Sequence, residues 1–321
     1  MTACVSIIMP SYNKAAMIGQ TIESVLAQSY TNWELIAVDD ASTDGTEKCI
    51  KAYCEKDGRI QLVLNKNTKG ANHCRNIGIE MSRGTYIIFL DADDLLATDC
   101  LMKRVKIMDS NHELNFAVFT MQVFNKSVGD NPHCWKPRKK NALSDFLAHK
   151  LPWQTMQPIW KRDFVVKLGG FDVSFQRMQD VELHTRALLR SPNFVCIDGE
   201  PDCFYRIDEE RKNFSAYIFL ERWVDSAVRY CNKFSPLVDV SLLKFLWGTK
   251  MAASLQLYYH VRESRITRQE YSELKRKLWE QKLTGSFGWF RLLIFKVSEF
   301  YNLWFPRIPG VNWMLTKLII L

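Results

Sequence analysis

The sequence predicts an α/β protein: a mainly parallel sheet flanked by helices, with a helical extension at the C-terminus. Three observations predict it. Between residues 5 and 90, short runs rich in Val, Ile and Leu alternate with stretches at helical spacing, the pattern of βαβ units. Polar and acidic residues follow most of those runs directly, and an open parallel sheet binds ligands outside the carboxyl ends of its strands. Charge divides the chain as well: residues 1–210 hold 25 Lys and Arg against 27 Asp and Glu, net −2, while residues 211–321 hold 18 against 8, net +10.

The elements follow in order. Residues 5–9, 34–38, 60–64 and 86–90 read as strands, too continuously apolar to have one wet face. Between the first two, Met17, Ile18, Ile22, Val25 and Leu26 recur at helical spacing within residues 15–28. Residues 46–56 and 74–81 fill the next two gaps in the same way. The N-terminal MTACVSIIMPSYN has no basic segment followed by a long apolar one, so it reads as the first strand and not as an export signal. Beyond Arg211 the spacing is helical. Phe219, Trp223, Ala227 and Tyr230 share one face, Tyr271, Leu274 and Leu278 another, and Thr267 with Glu270 forms a capping box.

Composition excludes several classes. With 321 residues, 47% hydrophobic, 24% charged, 14 Gly and 10 Pro, the chain is neither disordered, collagen-like nor a disulfide-stapled miniprotein. Its nine cysteines are odd in number and form no CxxC pair, so they read as reduced thiols of a cytosolic protein. No run of 18 uncharged apolar residues occurs; residues 287–321 are interrupted by Arg291, Lys296, Glu299, Arg307 and Lys317. No recognised nucleic-acid module accompanies the positive charge, and the basic residues are interleaved with apolar ones.

The strand ends carry the chemistry. Pro10, Ser11, Tyr12 and Asn13 follow the first strand; Asp39, Asp40 and then Asp44-Gly45 follow the second; Asp91, Asp93 and Asp94 follow the fourth. Three carboxylates in four residues repel one another, which points to a divalent cation or cationic ligand among them. Asp44 before Gly45 reads as a turn. Neither GxGxxG after a strand nor GxxxxGK[ST] is present, so a dinucleotide fold and a P-loop are both unsupported.

These segments resemble the family 2 glycosyltransferases, inverting enzymes of the GT-A fold. VSIIMPSYN, LIAVDDASTDGT, KGANHCRNIGIEMSRGTYIIFLDADD, LGGFDVSF and QDVEL stand in the family's order over residues 3 to about 190. The resemblance implies a GT-A domain over residues 1–210; residues 211–321, which it does not cover, read as a helical region from their spacing. It implies that Pro10 and Tyr12 shape the nucleotide pocket, that Asp39 or Asp40 meets the uracil or ribose, and that Arg75, of the family's RN pair with Asn76, serves phosphate or the pocket lining. Asp91 and Asp93 match the DxD motif, with Asp93 the direct ligand of Mn²⁺ or Mg²⁺ and Asp91 at the ribose or beside the metal. Asp180 matches the base of the family's ED motif, although Gln179 replaces the usual Glu. After Tyr205-Arg206, Asp208 stands where many members carry a metal-binding His: either Asp208 ligates the cation in its place, or the metal relies on Asp93, diphosphate and water while Arg206 stabilises the diphosphate directly.

Other residues keep two readings. Glu182 is a second acceptor contact or, as a bare DxE, part of a solvated helix face with His184 and Arg186. Gly169-Gly170-Phe171-Asp172 is a tight turn that also shapes the acceptor side. Trp153 and Trp160 stack on a sugar or belong to the core. The aromatic, basic tail over 285–321 has the composition of a helix lying in a membrane interface, against the alternative of a core-packing or oligomer-forming tail.

The expected protein is therefore a metal-dependent inverting transferase that moves a sugar from a nucleotide-sugar, most readily a UDP-sugar, to a saccharide or lipid-linked saccharide in surface polysaccharide synthesis. It is expected in the cytoplasm, on the inner face of the cytoplasmic membrane. A sugar-nucleotide pyrophosphorylase would begin with a Gly-rich basic loop in place of PSYNKAA, a catalytically inactive binding protein would not need Asp91, Asp93 and Asp180 together, and a polymerising synthase would need QxxRW, whereas Phe219 stands where ERW requires Gln.

Overall fold

The structure, a computed structural model, describes residues 4–207, 215–280, 289–305 and 308–320. The elements run β1 (Val5–Ser11), α1 (Ile18–Leu26), β2 (Trp33–Asp39), α2 (Thr46–Cys54), β3 (Ile60–Leu64), α3 (Ala71–Met81), β4 (Tyr86–Phe89), β5 (Leu95–Leu96), α4 (Cys100–Ser110), β6 (Phe116–Val118), β7 (Met121–Phe124) and β8 (Cys134–Trp135). There follow α5 (Ala142–Leu147), β9 (Pro158–Lys161), α6 (Arg162–Leu168), α7 (Gln179–Leu188), β10 (Phe194–Cys196), β11 (Cys203–Arg206), α8 (Ala216–Phe234), α9 (Val240–Arg262), α10 (Arg268–Glu280), α11 (Trp289–Trp304) and α12 (Val311–Ile320). They group into two units. Met1–Lys140, Pro152–Val173 and Arg186–Glu209 form a sheet unit; Asn141–Leu151, Ser174–Thr185 and Glu210–Leu321 form a helical unit.

The sheet unit is built on seven strands in the order β10-β6-β9-β4-β1-β2-β3. Pairings β1–β2, β1–β4, β2–β3 and β6–β10 are parallel, and β9 runs antiparallel between β4 and β6. The mainly parallel sheet is thus present, and its central strands explain the continuous apolar runs: every residue of β1 and β2 is buried, because both faces are covered. Ile7, Met9, Leu35, Ala37 and Ile88 belong to the main core, while Ile36 and Val38 pack with Cys74 of α3 on the other side. Close contact of α3 with β1 depends on Gly78, where a Cβ would stand 2.4 Å from Ile8 Cγ2.

A smaller sheet, β5-β11-β7-β8, lies in the same unit. The buried Arg104 of α4 fixes its entry by donating from Nε and Nη2 to both carboxylate oxygens of Asp202, at 2.8 and 2.7 Å. Trp153 and Trp160 are fully buried, with Phe116 at ring-centroid distances of 6.0 and 4.4 Å. Their core reading holds and sugar stacking falls, because no ring face reaches solvent. All nine cysteines are free thiols.

In the helical unit, the buried face of α8 runs through Leu220, Val224, Ala227, Cys231 and Phe234, one residue on from the expected Phe219 and Trp223, which are only part-buried. Ala227 and Tyr230 of the expected face are buried, and the Tyr230 hydroxyl bonds Thr185 Oγ1 at 2.5 Å. Tyr271, Leu274 and Leu278 are buried as expected. The capping box is formed: Glu270 Oε2 accepts from Thr267 N at 2.7 Å, and Glu270 N donates to Thr267 Oγ1 at 3.2 Å. Glu182 and His184 do not lie on a solvated face. Glu182 is fully buried and meets Lys233 Nζ at 2.7 Å, and burial drives the His184 imidazole down to about 3. No helix among the described residues is long and apolar enough to cross a membrane.

Candidate active site

β1 lies between β2 and β4, so the polar segments leaving their carboxyl ends converge. Pro10, which has no N–H, sits two residues past the last β1–β4 pair, Ile8 with Phe89, while β1 stays in register with β2 through Ser11 and Asp39. The proline thus stands where β4 no longer accompanies the strand. Tyr12 follows, half-exposed. Asn13 adopts φ +50°, and its side-chain oxygen accepts from Thr43 N at 2.9 Å while its own N–H donates to Ser42 Oγ at 2.9 Å. The next two amides, of Lys14 and Ala15, donate to Thr46 Oγ1 and Asp44 Oδ2. This pins the first loop to the second and delays α1 to Ile18, three residues later than its periodicity predicts. Asp44 also accepts from Thr46 N at 3.0 Å, as its turn reading required.

Asp39 and Asp40 are both buried but differ in what remains open. Asp40 Oδ1 accepts from Asn65 Nδ2 at 2.9 Å and Lys69 N at 2.9 Å; Oδ2 accepts from Lys69 N at 3.1 Å and Gly70 N at 2.7 Å. Burial alone would raise its pKa, but the amides of Lys69 and Gly70 and the Asn65 side chain outweigh it and hold the carboxyl below the usual range. Asp39 takes Ser11 Oγ and Ser42 Oγ on Oδ1 and Ser42 N on Oδ2, which leaves Oδ2 one acceptor direction.

Among the described residues, Lys14, Arg75 and Arg206 hold the acidic run after β4. Lys14 Nζ lies 2.6 Å from Asp93 Oδ2, and Arg75 Nη2 lies 2.7 Å from Asp91 Oδ1. Arg206 is buried; its N–H donates to Asp94 Oδ1 at 2.8 Å, its Nε to the Asp93 carbonyl at 2.8 Å and its Nη2 to Gln20 Oε1 at 2.7 Å. The Asp91 side chain is 40% exposed and that of Asp93 5%. Asp91 therefore faces out, while Asp93 lies beneath its lysine. Lys14 and Gln20 were not singled out in the sequence. Lys14 stands in PSYNK, but its partner is 79 positions away and becomes apparent only once the sheet is assembled.

The Arg75-Asn76 pair joins this region to the GGFD segment. Asn76 clamps Phe171 through both backbone groups, accepting from its N–H at 2.7 Å and donating to its carbonyl at 2.8 Å. Gly170, at φ +66°, is required there, because a Cβ would lie 2.5 Å from Asn76 Oδ1.

Pro10, Tyr12, Asp39, Asp40, Arg75, Asp91, Asp93 and Arg206 all belong to the sheet unit, whereas Asp180, at the start of α7, belongs to the helical unit. Asp208 lies outside the described residues. Among the described residues, no three His, Cys, Asp or Glu side chains form a metal cage. The donor set does fit a hard divalent cation held by one or two carboxylates together with substrate phosphates, since Asp91 and Asp93 offer oxygen ligands two residues apart.

Residues 6–164 match the model of glycosyl transferase family 2. These residues form a glycosyl transferase family 2 domain. A putative teichuronic acid biosynthesis glycosyltransferase, TuaG of Bacillus subtilis, is 44% identical over 104 residues, 32% of this chain and 41% of that protein. The Escherichia coli UDP-Glc:alpha-D-GlcNAc-diphosphoundecaprenol beta-1,3-glucosyltransferase WfgD is 38% identical over 123 residues, 38% of this chain and 47% of that one. The match thus spans less than half the length of each of these relatives. Among solved structures, S. aureus TarS 1–349 in complex with UDP aligns with a TM-score of 0.56 at 16% identity, over 86% of this chain and 90% of that one. The Pyrobaculum calidifontis mannosyltransferase in complex with GDP-Man and Mn²⁺ aligns at 0.54 and 18%, over 88% and 89%. These likenesses establish the GT-A fold of the chain.

Proposed function

We propose that this chain is a metal-dependent inverting glycosyltransferase that moves a sugar from a UDP-sugar to a hydroxyl of a saccharide or lipid-linked saccharide in surface polysaccharide synthesis. The observation that carries this is the Asp91–Asp93 pair at the carboxyl end of β4, with Lys14 and Arg75 bonded to it. Asp93, with Asp91, would hold Mn²⁺ or Mg²⁺, whose charge offsets that of the departing diphosphate. Lys14 and Arg75 are then positioned to turn from their carboxylates to phosphate oxygens. Asp39, with an acceptor direction open, takes the N–H of the base or a ribose hydroxyl. Arg206 and Gln20 hold the acidic turn. Asp180 accepts the proton of the acceptor hydroxyl as that oxygen bonds to the sugar C1; the C1–O bond to the diphosphate breaks with its electrons leaving on the nucleotide, and the anomeric configuration inverts. Residues 1–210 serve this chemistry and residues 211–321 hold the protein at the inner face of the cytoplasmic membrane.

The relatives support the donor and acceptor classes: one is named for UDP-Glc and a diphosphoundecaprenol-linked sugar, and TarS was solved with UDP. The test is nucleoside diphosphate release from a panel of UDP-, GDP-, dTDP- and CMP-sugars, with Mn²⁺ or Mg²⁺ and a membrane lipid extract as acceptor source. Release from a UDP-sugar that falls about 10²- to 10⁴-fold in Asp93→Ala and in Asp180→Asn is expected. No release from any donor, with no nucleotide binding by calorimetry, would overturn the proposal in favour of a catalytically inactive relative.

A further inference from the structure

The helical unit carries a basic cleft bordered by exposed aromatic and aliphatic side chains. The cleft, about 730 Å³, lies where α9 ends and α10 begins; Arg262, Arg265 and Arg268 line it together with Tyr271, Leu303 and Trp304. Arg262 donates from Nη1 to the Phe305 carbonyl at 2.7 Å, which anchors the wall. The guanidinium of Arg265 lies 5.4 Å from the Tyr259 ring, and Arg265 and Arg268 are both exposed. The acidic group in this wall, Glu270, is occupied by Thr267 N and Oγ1 in the capping box. Nearby, Glu299 takes the Tyr271 hydroxyl and Lys275, and Glu263 is exposed.

From this cleft an apolar stripe extends along α11. Leu293, Val297, Phe300 and Trp304 recur at intervals of four, three and four, one face of a helix, with Phe300 60% and Trp304 66% exposed. Trp313 of α12 is 63% exposed, and Lys317 Nζ lies 3.8 Å over its ring. Soluble surfaces rarely carry so many exposed large apolar side chains together. A stripe of Leu, Val, Phe and Trp bordered by Arg and Lys matches the boundary between acyl chains and charged headgroups, where Trp is enriched and basic residues face phosphate. The net charge of +10 over residues 211–321 gives the occupant its sign.

We infer that Arg262, Arg265 and Arg268 bind the phosphate of an anionic phospholipid headgroup while Leu293, Val297, Phe300 and Trp304 enter the apolar boundary of the same leaflet. This rests on the reading that the protein works at a membrane surface. It names the lipid class and the residues that recognise it.

The test is sedimentation of the full chain with phosphatidylcholine vesicles, with and without phosphatidylglycerol. Binding about tenfold or more tighter to the phosphatidylglycerol vesicles is expected, weakening as salt rises. An Arg265→Gln/Arg268→Gln variant should bind both vesicles at the phosphatidylcholine level, a Phe300→Ser/Trp304→Ser variant should lose binding to both, and soluble glycerol phosphate should not release the bound protein. Equal binding to the two vesicles, or an anionic preference that survives the arginine variant, overturns the inference and leaves the membrane reading standing. No binding to any vesicle overturns both. A dimer by light scattering that the Phe300→Ser/Trp304→Ser variant dissociates assigns the stripe to a second copy and also overturns it. Nucleoside diphosphate release in vesicle-free solution, unchanged in all variants, shows that each is folded and keeps failure here separate from failure of the transferase reading.

Discussion

Adjacent side chains of one type can be separated by what already surrounds them. Asp39 and Asp40 are consecutive and both buried, yet three N–H groups occupy all the acceptor directions of Asp40, while Asp39 keeps one open. Asp40→Asn replaces one of two accepting oxygens by an NH₂ group, which sets donor against donor either at Asn65 or at the Gly70 N–H. We expect a stability loss of about 1–3 kcal/mol, read as a lower urea midpoint at constant m-value. Asp39→Asn keeps an oxygen for the serines; its expected effect is a roughly 10- to 100-fold weaker UDP affinity by calorimetry with the urea midpoint nearly unchanged. The reverse pattern would assign the nucleotide contact to Asp40.

Among the elements, β1, β2 and β4 were legible because buried parallel strands are apolar on both faces; β3 is the edge strand, with Ile60 buried and Leu64 exposed, so its apolar run does have a wet side, against the expectation. Strand β3 matches its expected bounds, and the β2 expectation falls one residue short at each end. Strands β5 to β11 were not read from the sequence; several are only two to four residues long, too short to show a period, and β9 is defined by its antiparallel partners. The tie between α4 and β11 was equally hidden, since Arg104 and Asp202 are 98 positions apart. Both are buried, so removing one leaves the other charge uncompensated. Asp202→Ala should cost about 3–5 kcal/mol in denaturant unfolding, and Arg104→Met/Asp202→Leu should recover most of that. Additive losses in the double variant would refute the pairing argument.

For the whole molecule, the two units should respond to acid in different windows. His149 and His184 in the helical unit are held neutral by burial, at about 4 and about 3, against 6.5 when unfolded. Their folded values are depressed and the unfolded chain binds the extra protons, so stability is full above pH 6.5 and is lost as pH falls from there toward 4. In the sheet unit, burial raises the carboxyls of Asp40 and Glu34, but amide, hydroxyl and Arg83 donors outweigh it and lower them. Their contribution is full above the ordinary carboxylate range and is lost only as pH falls through it and below. Amide hydrogen exchange at stepped pH should therefore show protection falling first in α7–α9, between pH 6.5 and 4, and His184→Phe should flatten that early fall. Simultaneous loss in both units would contradict it.

The sequence carries the fold class, the family resemblance and the line of acidic and polar strand ends, because these reside in local spacing and in short motifs whose residues are contiguous. It also located the capping box at Thr267. The tertiary structure decided which carboxylate is already satisfied, which cation meets which acid, that Trp153 and Trp160 are core, that Glu182 is buried on Lys233, and which face of α8 turns inward. Each of those depends on partners tens of positions away in the chain. Burial and pairing are properties of the assembled neighbourhood, and a side chain's type does not specify its neighbours.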